Sequence, residues 1–203
     1  MDGGPFGVGA LRYARDRPNS ELLLGNHEVL MLGALEDRAE RGPNFRSWVE
    51  TGGQLHDLEE LARDEPLQEW LRERPLLLWL DDGTLAQHCD SDTIDRLAPN
   101  APDPVTAIND EARRLLAAHD YRLLIDLLSQ KRVFREQPLR LDAWLRRTGA
   151  RRIVHGHTPH GQSRPDVYAG GRAISFDGGL GRWGGRGNRG RAPGAASVGP
   201  LPA

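Results

Sequence analysis

Three segments of this chain carry residue types that bind divalent metal ions. They are Gly25-Asn26-His27-Glu28, His88, and His155-Gly156-His157. Each follows a short apolar run that is typical of a strand, so each is expected on a loop that a rigid element holds in place. A glycine beside a ligand lets the backbone and a phosphate approach closely. Oxygen and imidazole donors brought together in this way predict a metal site on strand-end loops.

The elements that must position these residues follow from the apolar pattern. A run of three leucines before Gly25 predicts a buried strand, and Asp81-Asp82-Gly83 predicts the turn of a hairpin. Helical spacing of leucines predicts a layer of helices between the strands, with Pro138 interrupting the longest helical region. We predict strands over residues 21–25, 76–80, 84–88, 152–154 and 173–176, and helices over residues 8–14, 28–40, 55–73 and 105–147.

Strands that end in polar loops and are separated by helices define an α/β layered fold, in which ligands bind at the carboxyl ends of the strands. The composition fits one or two ordinary domains, with 203 residues that are 38% hydrophobic and 28% charged. The net charge of -2 gives no overall field that would attract nucleic acid or an anionic membrane.

The single cysteine, Cys89, excludes an internal disulfide and a cysteine-built zinc site. It fits a reducing compartment, and we predict a cytoplasmic location. The longest apolar stretch, Leu76 to Leu80, is far shorter than the roughly 20 residues of a membrane span. No basic and apolar leader follows Met1, so we expect no membrane association.

These motifs, in this order, resemble the calcineurin-like metallophosphoesterases, and above all their phosphoprotein-phosphatase-like bacterial branch with the Shewanella-like phosphatases. Residues 25–28 match the GNHE box of that family, Leu85-Ala86-Gln87-His88 its central strand and histidine, and Gly156-His157-Thr158-Pro159 its GHTP box. Trp48 with Gly52-Gly53, and the segment Ser175 to Leu180, are supporting matches. The resemblance extends from residue 2 to about residue 183.

The resemblance implies a hydrolase that uses two metal ions, Mn, Fe or Zn, to cleave phosphomonoesters or phosphoproteins by in-line attack on phosphorus. By position, Asn26, His88 and His157 would bind one ion, and His27 would be the general acid that protonates the leaving oxygen. Asp2, in the Asp2-Gly3-Gly4-Pro5 segment that matches the DRGP box, would orient His27. The residues that bind the substrate are not assigned.

The chain departs from the family pattern at its start. The GDxHG box and the first aspartate of the GDxxDRG box, which bind the first metal and bridge the two, do not precede Met1, and Gly3 replaces the arginine of the second box. We therefore expect a sandwich that lacks its first strands and exposes apolar sheet surface, and at most one weakly bound metal, because an amide and two neutral imidazoles carry no negative charge.

Two explanations of this departure remain open: a start site placed too far downstream, or a degenerate paralogue without turnover. The alternative function is accordingly a non-catalytic remnant of the same fold that binds a phosphate or a protein. We predict a partial phosphoesterase domain over residues 1–180, with helical insertions at about 42–75 and 100–147 that would set substrate specificity.

Beyond residue 180 the chain is rich in Gly, Arg and Pro, which is typical of a flexible tail. Four arginines and Trp183 within residues 181–191 also resemble a short RNA-binding segment, although we favour the flexible tail. Isolated histidines and loop carboxylates usually lie at the surface, and we expect this of five further residues: His56, His119, His160, Asp90 and Asp92. The alternative for Asp90 and Asp92, just after His88, is that they accept hydrogen bonds from the metal ligands.

Overall fold

The computed structural model describes residues 7–178 of the chain, and its architecture is the predicted α/β fold. Five short strands form one mixed sheet in the order β1-β2-β3-β5-β4. The strands are β1 Leu77–Trp79, β2 Thr84–Gln87, β3 Arg152–His155, β4 Asp166–Tyr168 and β5 Ala173–Ser175. The helices are α1 Gly7–Asp16, α2 Asn26–Glu36, α3 Pro43–Glu50, α4 Leu55–Ala62, α5 Glu65–Arg72, α6 Pro104–Ala117, α7 Arg122–Leu128, α8 Val133–Glu136 and α9 Pro138–Thr148.

The central strands β2, β3 and β5 are parallel to one another, and the edge strands β1 and β4 are antiparallel to their neighbours. The β1–β2 hairpin around Asp81-Asp82-Gly83 is confirmed, with Leu77 opposite Gln87. The carboxyl ends of β2 and β3 lie side by side, because Leu85 is opposite Ile153 and Ala86 is opposite Val154. Residues just beyond these two strands are therefore neighbours in space.

On one face of the sheet the three central strands bury Leu85, Ile153 and Ala173 completely, whereas Trp79 in the same row on edge strand β1 is exposed. The opposite face carries an apolar row that crosses all five strands: Leu78, Ala86, Val154, Ile174 and Val167. Val167 at the β4 end of this row is exposed, and so is Phe176 just after β5. Two apolar side chains are thus exposed at this end of the sheet. The expected loss of the first strands stays a prediction.

The predicted strand over residues 21–25 is wrong. This segment is extended and Leu24 is buried, but the segment makes a single backbone hydrogen bond with its neighbour, from the Leu24 amide to the Pro75 carbonyl at 2.9 Å. One bond does not build a ladder, so the leucine run is a buried connection that leads into α2. The helix after it begins at Asn26 and ends at Glu36, earlier at both ends than the predicted 28–40.

Among the helices of the two predicted helical regions, α3, α4 and α7 pack on α2, and α6 packs on β1. The first region contains α3, α4 and α5, and the second contains α6 to α9. Pro138 begins α9, which confirms the predicted interruption at this residue. Asn109 of α6 also completes the backbone of β1. Its Oδ1 accepts hydrogen bonds from the Leu76 and Leu77 amides, and its Nδ2 donates to the Leu77 carbonyl.

The division into a domain over residues 1–180 and a tail over 181–203 stays a prediction, and the tail lies outside the described residues. Between residues 7 and 178, no helix has the length and apolar character needed to cross a bilayer.

Gln87, the last residue of β2, fixes the strand end from which the loop that carries His88 starts. Its Oε1 accepts a hydrogen bond from Trp144 Nε1 at 2.8 Å, and its Nε2 donates to the carbonyls of Cys89 at 2.6 Å and Ser91 at 2.9 Å. All of these groups are buried. The side chain therefore joins α9 to the loop that follows His88.

We predict that Gln87→Leu lowers the free energy of unfolding by about 2–4 kcal/mol, because it leaves the buried Trp144 N–H and the buried Ser91 carbonyl without partners. Urea denaturation followed by tryptophan fluorescence measures the change. Gln162→Leu, at an exposed loop position, is the control and should change stability by less than about 0.5 kcal/mol. Equal stability of the two variants would contradict this role of Gln87.

Candidate metal centre

The side chains of Asn26, His88 and His157 meet at one point beyond the carboxyl ends of β2 and β3. His88 Nε2 lies 2.9 Å from Asn26 Oδ1 and 3.0 Å from His157 Nδ1. The rings of His88 and His157 are tilted by 51° with their centroids 4.6 Å apart. Residues 62 and 69 positions apart in the chain thus form one cluster, which we call the Asn-His-His cluster.

The sheet brings the two histidines of the cluster together. His88 follows β2 directly, and its carbonyl accepts a hydrogen bond from the Gly156 amide at 3.0 Å, which extends the β2–β3 pairing past the end of both strands. His157 comes one residue later with a left-handed backbone, φ 64°. This conformation is uncommon for a residue with a side chain and is often found at functional sites. The Thr158 amide closes the turn on the Gly156 carbonyl at 2.7 Å.

The start of α2 supplies the third side chain. Asn26 is the first residue of this helix and is buried, while Glu28 in the first turn accepts a hydrogen bond from the Gly25 amide at 3.0 Å. A carboxylate at this position satisfies an amide that the helix itself leaves unpaired. The helix start is therefore held in the orientation that directs Asn26 at His88.

Gly25 is required because the His88 ring packs against its α-carbon. A Cβ at this position would lie 2.5 Å from Cε1 and 2.7 Å from Nδ1 of His88, and 2.8 Å from Oε2 of Glu28. Gly156, on the other side of His88, has more space, since a Cβ there would approach only the His88 carbonyl oxygen at 3.9 Å. The glycine of the Gly25-Asn26 pair thus makes room for a histidine ring that follows a different strand.

Both imidazoles of the cluster are shifted towards the neutral form. Burial lowers the pKa of His88 well below its usual value, and positive charge on His157 or His27 would lower it further. Burial also lowers the pKa of His157, against the effects of the Ser129 backbone and the carboxylates Asp90 and Asp177, which raise it. Neutral rings keep the lone pairs that a metal ion needs.

The donor set fits a divalent first-row metal ion. Two ligands bound at right angles to such an ion, each at about 2.1 Å, are about 3.0 Å apart, and the observed separations are 2.9 and 3.0 Å. His88 Nε2 can hold one proton at most, yet it faces two groups that can accept a hydrogen bond. Within residues 7–178 no group of three His, Cys, Asp or Glu side chains is placed to hold a metal ion, and the cluster instead offers two imidazoles and one amide oxygen.

The other sequence-predicted residues are placed as follows. His27 is half-buried in the first turn of α2, close enough for its charge to affect the pKa of His88. Asp2, its predicted partner, lies outside the described residues. His56 and His119 are exposed, in agreement with a surface position. His160 is half-buried, and its Nε2 lies 3.2 Å from the Ser175 carbonyl oxygen.

His155 supports the turn that carries His157 and points away from the cluster. Its Nε2 lies 2.9 Å from the hydroxyl of Tyr168, and its Nδ1 lies 3.0 Å from the carbonyl oxygen of Gly156. Burial lowers the pKa of His155 and raises that of Tyr168. The two rings therefore form a neutral, hydrogen-bonded pair under the site.

The prediction that Asp90 and Asp92 are solvated is wrong. Asp90 is completely buried, and its Oδ1 accepts a hydrogen bond from the Arg132 amide at 2.8 Å. Asp92 is largely buried and pairs with Arg140. The loop after His88 turns inward, where the backbone amide of residue 132 and a guanidinium replace water around the carboxylates. No short-range pattern could reveal these partners, which lie more than 40 residues away in the chain.

Comparison with known proteins shows the fold. The chain is similar to the crystal structure of the cold-active protein-tyrosine phosphatase of a psychrophilic Shewanella species, with a TM-score of 0.61 and 18% identity over 89% of this chain and 58% of that one. A single-residue mutant described as a cold-active protein-tyrosine phosphatase gives a TM-score of 0.55 and 19% identity, over 84% of this chain and 53% of that one.

A further structure of the cold-active enzyme, at 1.1 Å, also gives a TM-score of 0.55, with 18% identity over 80% of this chain and 49% of that one. The chain thus spans about half the length of these neighbours. No protein-family model matches the sequence. No curated protein matches it either. These likenesses establish an α/β fold of the kind found in a phosphatase.

We predict that Gly25→Ala destabilises the protein by about 1–3 kcal/mol, because the added methyl group would displace the His88 ring. Gly156→Ala is the matched control beside the same histidine, and we expect a loss of less than about 1 kcal/mol there. Thermal or urea unfolding compares the two variants. A Gly25→Ala protein as stable as wild type would mean that His88 does not occupy the described position.

Proposed function

We propose that this chain is a metal-dependent phosphoesterase that hydrolyses phosphomonoesters or phosphoproteins, with one divalent ion held by Asn26, His88 and His157. The observation that carries the proposal is the convergence of an amide oxygen and two imidazole nitrogens, since Asn26 Oδ1 and His157 Nδ1 each lie within 3.0 Å of His88 Nε2. Three segments far apart in the sequence supply these atoms, and each matches a motif of the calcineurin-like metallophosphoesterases.

The phosphatase neighbours support the same class of reaction. They are named as protein-tyrosine phosphatases, and their fold extends over at least 80% of this chain. We propose that the fold is that of a calcineurin-like metallophosphoesterase of the Shewanella-like bacterial branch. A phosphorylated small molecule or protein is then the expected substrate.

Each residue of the site has a defined task in this proposal. Asn26, His88 and His157 would hold the ion as neutral donors, because imidazole nitrogen suits Fe or Zn and the amide oxygen suits Mn. When bound, the ion supplies Lewis acidity that polarises the phosphoryl group. His27, adjacent to Asn26 in the first turn of α2, donates a proton to the leaving oxygen. Its half-buried position gives its ring access to a substrate placed against the cluster.

Ligand charge is the feature that favours a second candidate function. The three donors are all neutral, whereas a tightly held dication in proteins usually has at least one anionic ligand. Asp90 and Asp177 raise the pKa of His157 through their negative charge. Asp90 Oδ1 already accepts a hydrogen bond from the Arg132 amide. A site with this charge balance could bind a phosphate group without hydrolysing it. The second candidate is therefore a non-catalytic phosphate-binding or protein-binding module.

We predict that Mn²⁺ promotes release of p-nitrophenol from p-nitrophenyl phosphate, and that His27→Ala lowers kcat by about 100-fold or more while Mn²⁺ affinity stays the same. Activity is measured on this chain and on a version extended upstream with the GDxHG and GDxxDRG boxes, which add anionic ligands. His119→Asn is the control. It lies at the Glu36 end of α2, about 15 Å of helix away from Asn26, and asparagine tolerates the left-handed backbone there.

Two results decide between the candidate functions. If neither version hydrolyses the ester, or if His27→Ala is as active as wild type, the phosphoesterase proposal is wrong. If phosphate raises the melting temperature of a protein that shows no turnover, the binding module is supported, since a ligand stabilises the folded state by RT ln(1 + [L]/Kd).

A further inference from the structure

A short loop between α7 and α8, residues 129–132, lies beside the Asn-His-His cluster. Asp90, which is completely buried, joins this loop to the segment that follows β2. Asp90 Oδ1 accepts a hydrogen bond from the Arg132 amide at 2.8 Å, and the Asp90 carbonyl accepts one from the Phe134 amide at 3.0 Å. One residue thus holds the end of the loop at two points.

Asp90 also connects the loop to the two histidine segments. It is only two residues after His88, and the Thr158 hydroxyl, next to His157, donates to Asp90 Oδ1 at 3.5 Å. Thr93 adds a further anchor, because its hydroxyl donates to the carbonyl of Leu127 at the end of α7 at 3.0 Å. The loop is therefore attached to the same scaffold that positions the cluster.

Two residues of the loop act directly on His157. The backbone of Ser129 raises the pKa of His157, and the ammonium group of Lys131 lowers it. Lys131 directly precedes Arg132, whose amide shares Asp90 Oδ1 with the hydroxyl of Thr158, and Thr158 is adjacent to His157. The long, flexible side chain of Lys131 therefore starts beside the turn that carries His157. Lys131 is exposed and is the only lysine in the chain.

The cations around Lys131 are already paired with carboxylates. Arg132 bonds to Glu136, Arg135 to Asp166, and Arg140 to Asp92. Lys131, by contrast, makes no ion pair of 4 Å or less with any residue that the structure describes. It is the cation of this segment whose charge is available for a ligand.

We infer that Lys131 is the residue that binds the phosphate dianion of the substrate at the Asn-His-His cluster. The inference rests on the proposed function and assigns its substrate-binding residue. A compact ammonium group can reach a phosphate oxygen as a point charge without a fixed bidentate geometry. The neutral cluster supplies no negative charge that would repel the dianion, and the loop fixes the backbone from which the lysine extends.

The test is a calorimetric titration of inorganic phosphate into the full chain, both saturated with Mn²⁺ and treated with a chelator. We expect Lys131→Ala to weaken phosphate binding about tenfold in either form, and Lys131→Arg to keep the affinity within about threefold of wild type. Arg132→Ala is the matched control. It removes the neighbouring exposed cation and leaves the backbone amide on Asp90, so phosphate affinity should not change.

A second readout separates ligand binding from a structural effect. Removing the Lys131 charge should make Mn²⁺ binding equal or tighter while phosphate binding becomes weaker, because a cation beside the cluster opposes a dication and attracts a dianion. A variant whose loop is merely disordered would lose both affinities. Weakening of Mn²⁺ and phosphate binding together in Lys131→Ala would therefore overturn the inference.

The remaining outcomes distinguish this inference from the proposed function. Phosphate binding that is independent of Lys131, absent in every form, or equally weakened by Arg132→Ala overturns the inference, even if Mn²⁺ binds. A chain that binds no Mn²⁺ but loses phosphate affinity in Lys131→Ala overturns the metal site and supports the inference.

Discussion

The site depends on the parallel pairing of β2 with β3. Because the two strands run in the same direction, their carboxyl ends lie at one edge of the sheet, and the hydrogen bond from the Gly156 amide to the His88 carbonyl continues the pairing past that edge. The left-handed turn at His157 then directs its ring back towards His88. Without this pairing neither ring would have a fixed partner, and Asn26 would face only a loop.

The packing around the sheet keeps this edge in place. Gln87 connects the end of β2 to Trp144 on α9, and His155 at the end of β3 is held by Tyr168. These buried polar groups find their hydrogen-bond partners inside the protein, and such a network stabilises the fold by more than the sum of its separate bonds. The chemical groups at the surface of the site are thus supported by a layer of buried hydrogen bonds beneath them.

Much of the site could be predicted from the sequence, because its three segments are local motifs that each follow an apolar run. The hairpin and the strands around residues 84–88, 152–154 and 173–176 agree with the structure for the same reason. The leucine run before Gly25 was mispredicted as a strand, since an apolar pattern reports burial and cannot show whether a partner strand completes the ladder. The burial of Asp90 and the position of Lys131 depend on contacts over about 40 residues of chain, which no short-range pattern contains.

The most direct test of the account is a crystal structure of the chain grown with Mn²⁺, with anomalous scattering used to locate the ion. The account predicts one ion within bonding distance of Asn26 Oδ1, His88 Nε2 and His157 Nδ1. An ion bound elsewhere, or an Asn-His-His cluster that keeps its internal hydrogen bonds at millimolar Mn²⁺ with no ion in it, would contradict the assignment of these residues as a metal centre.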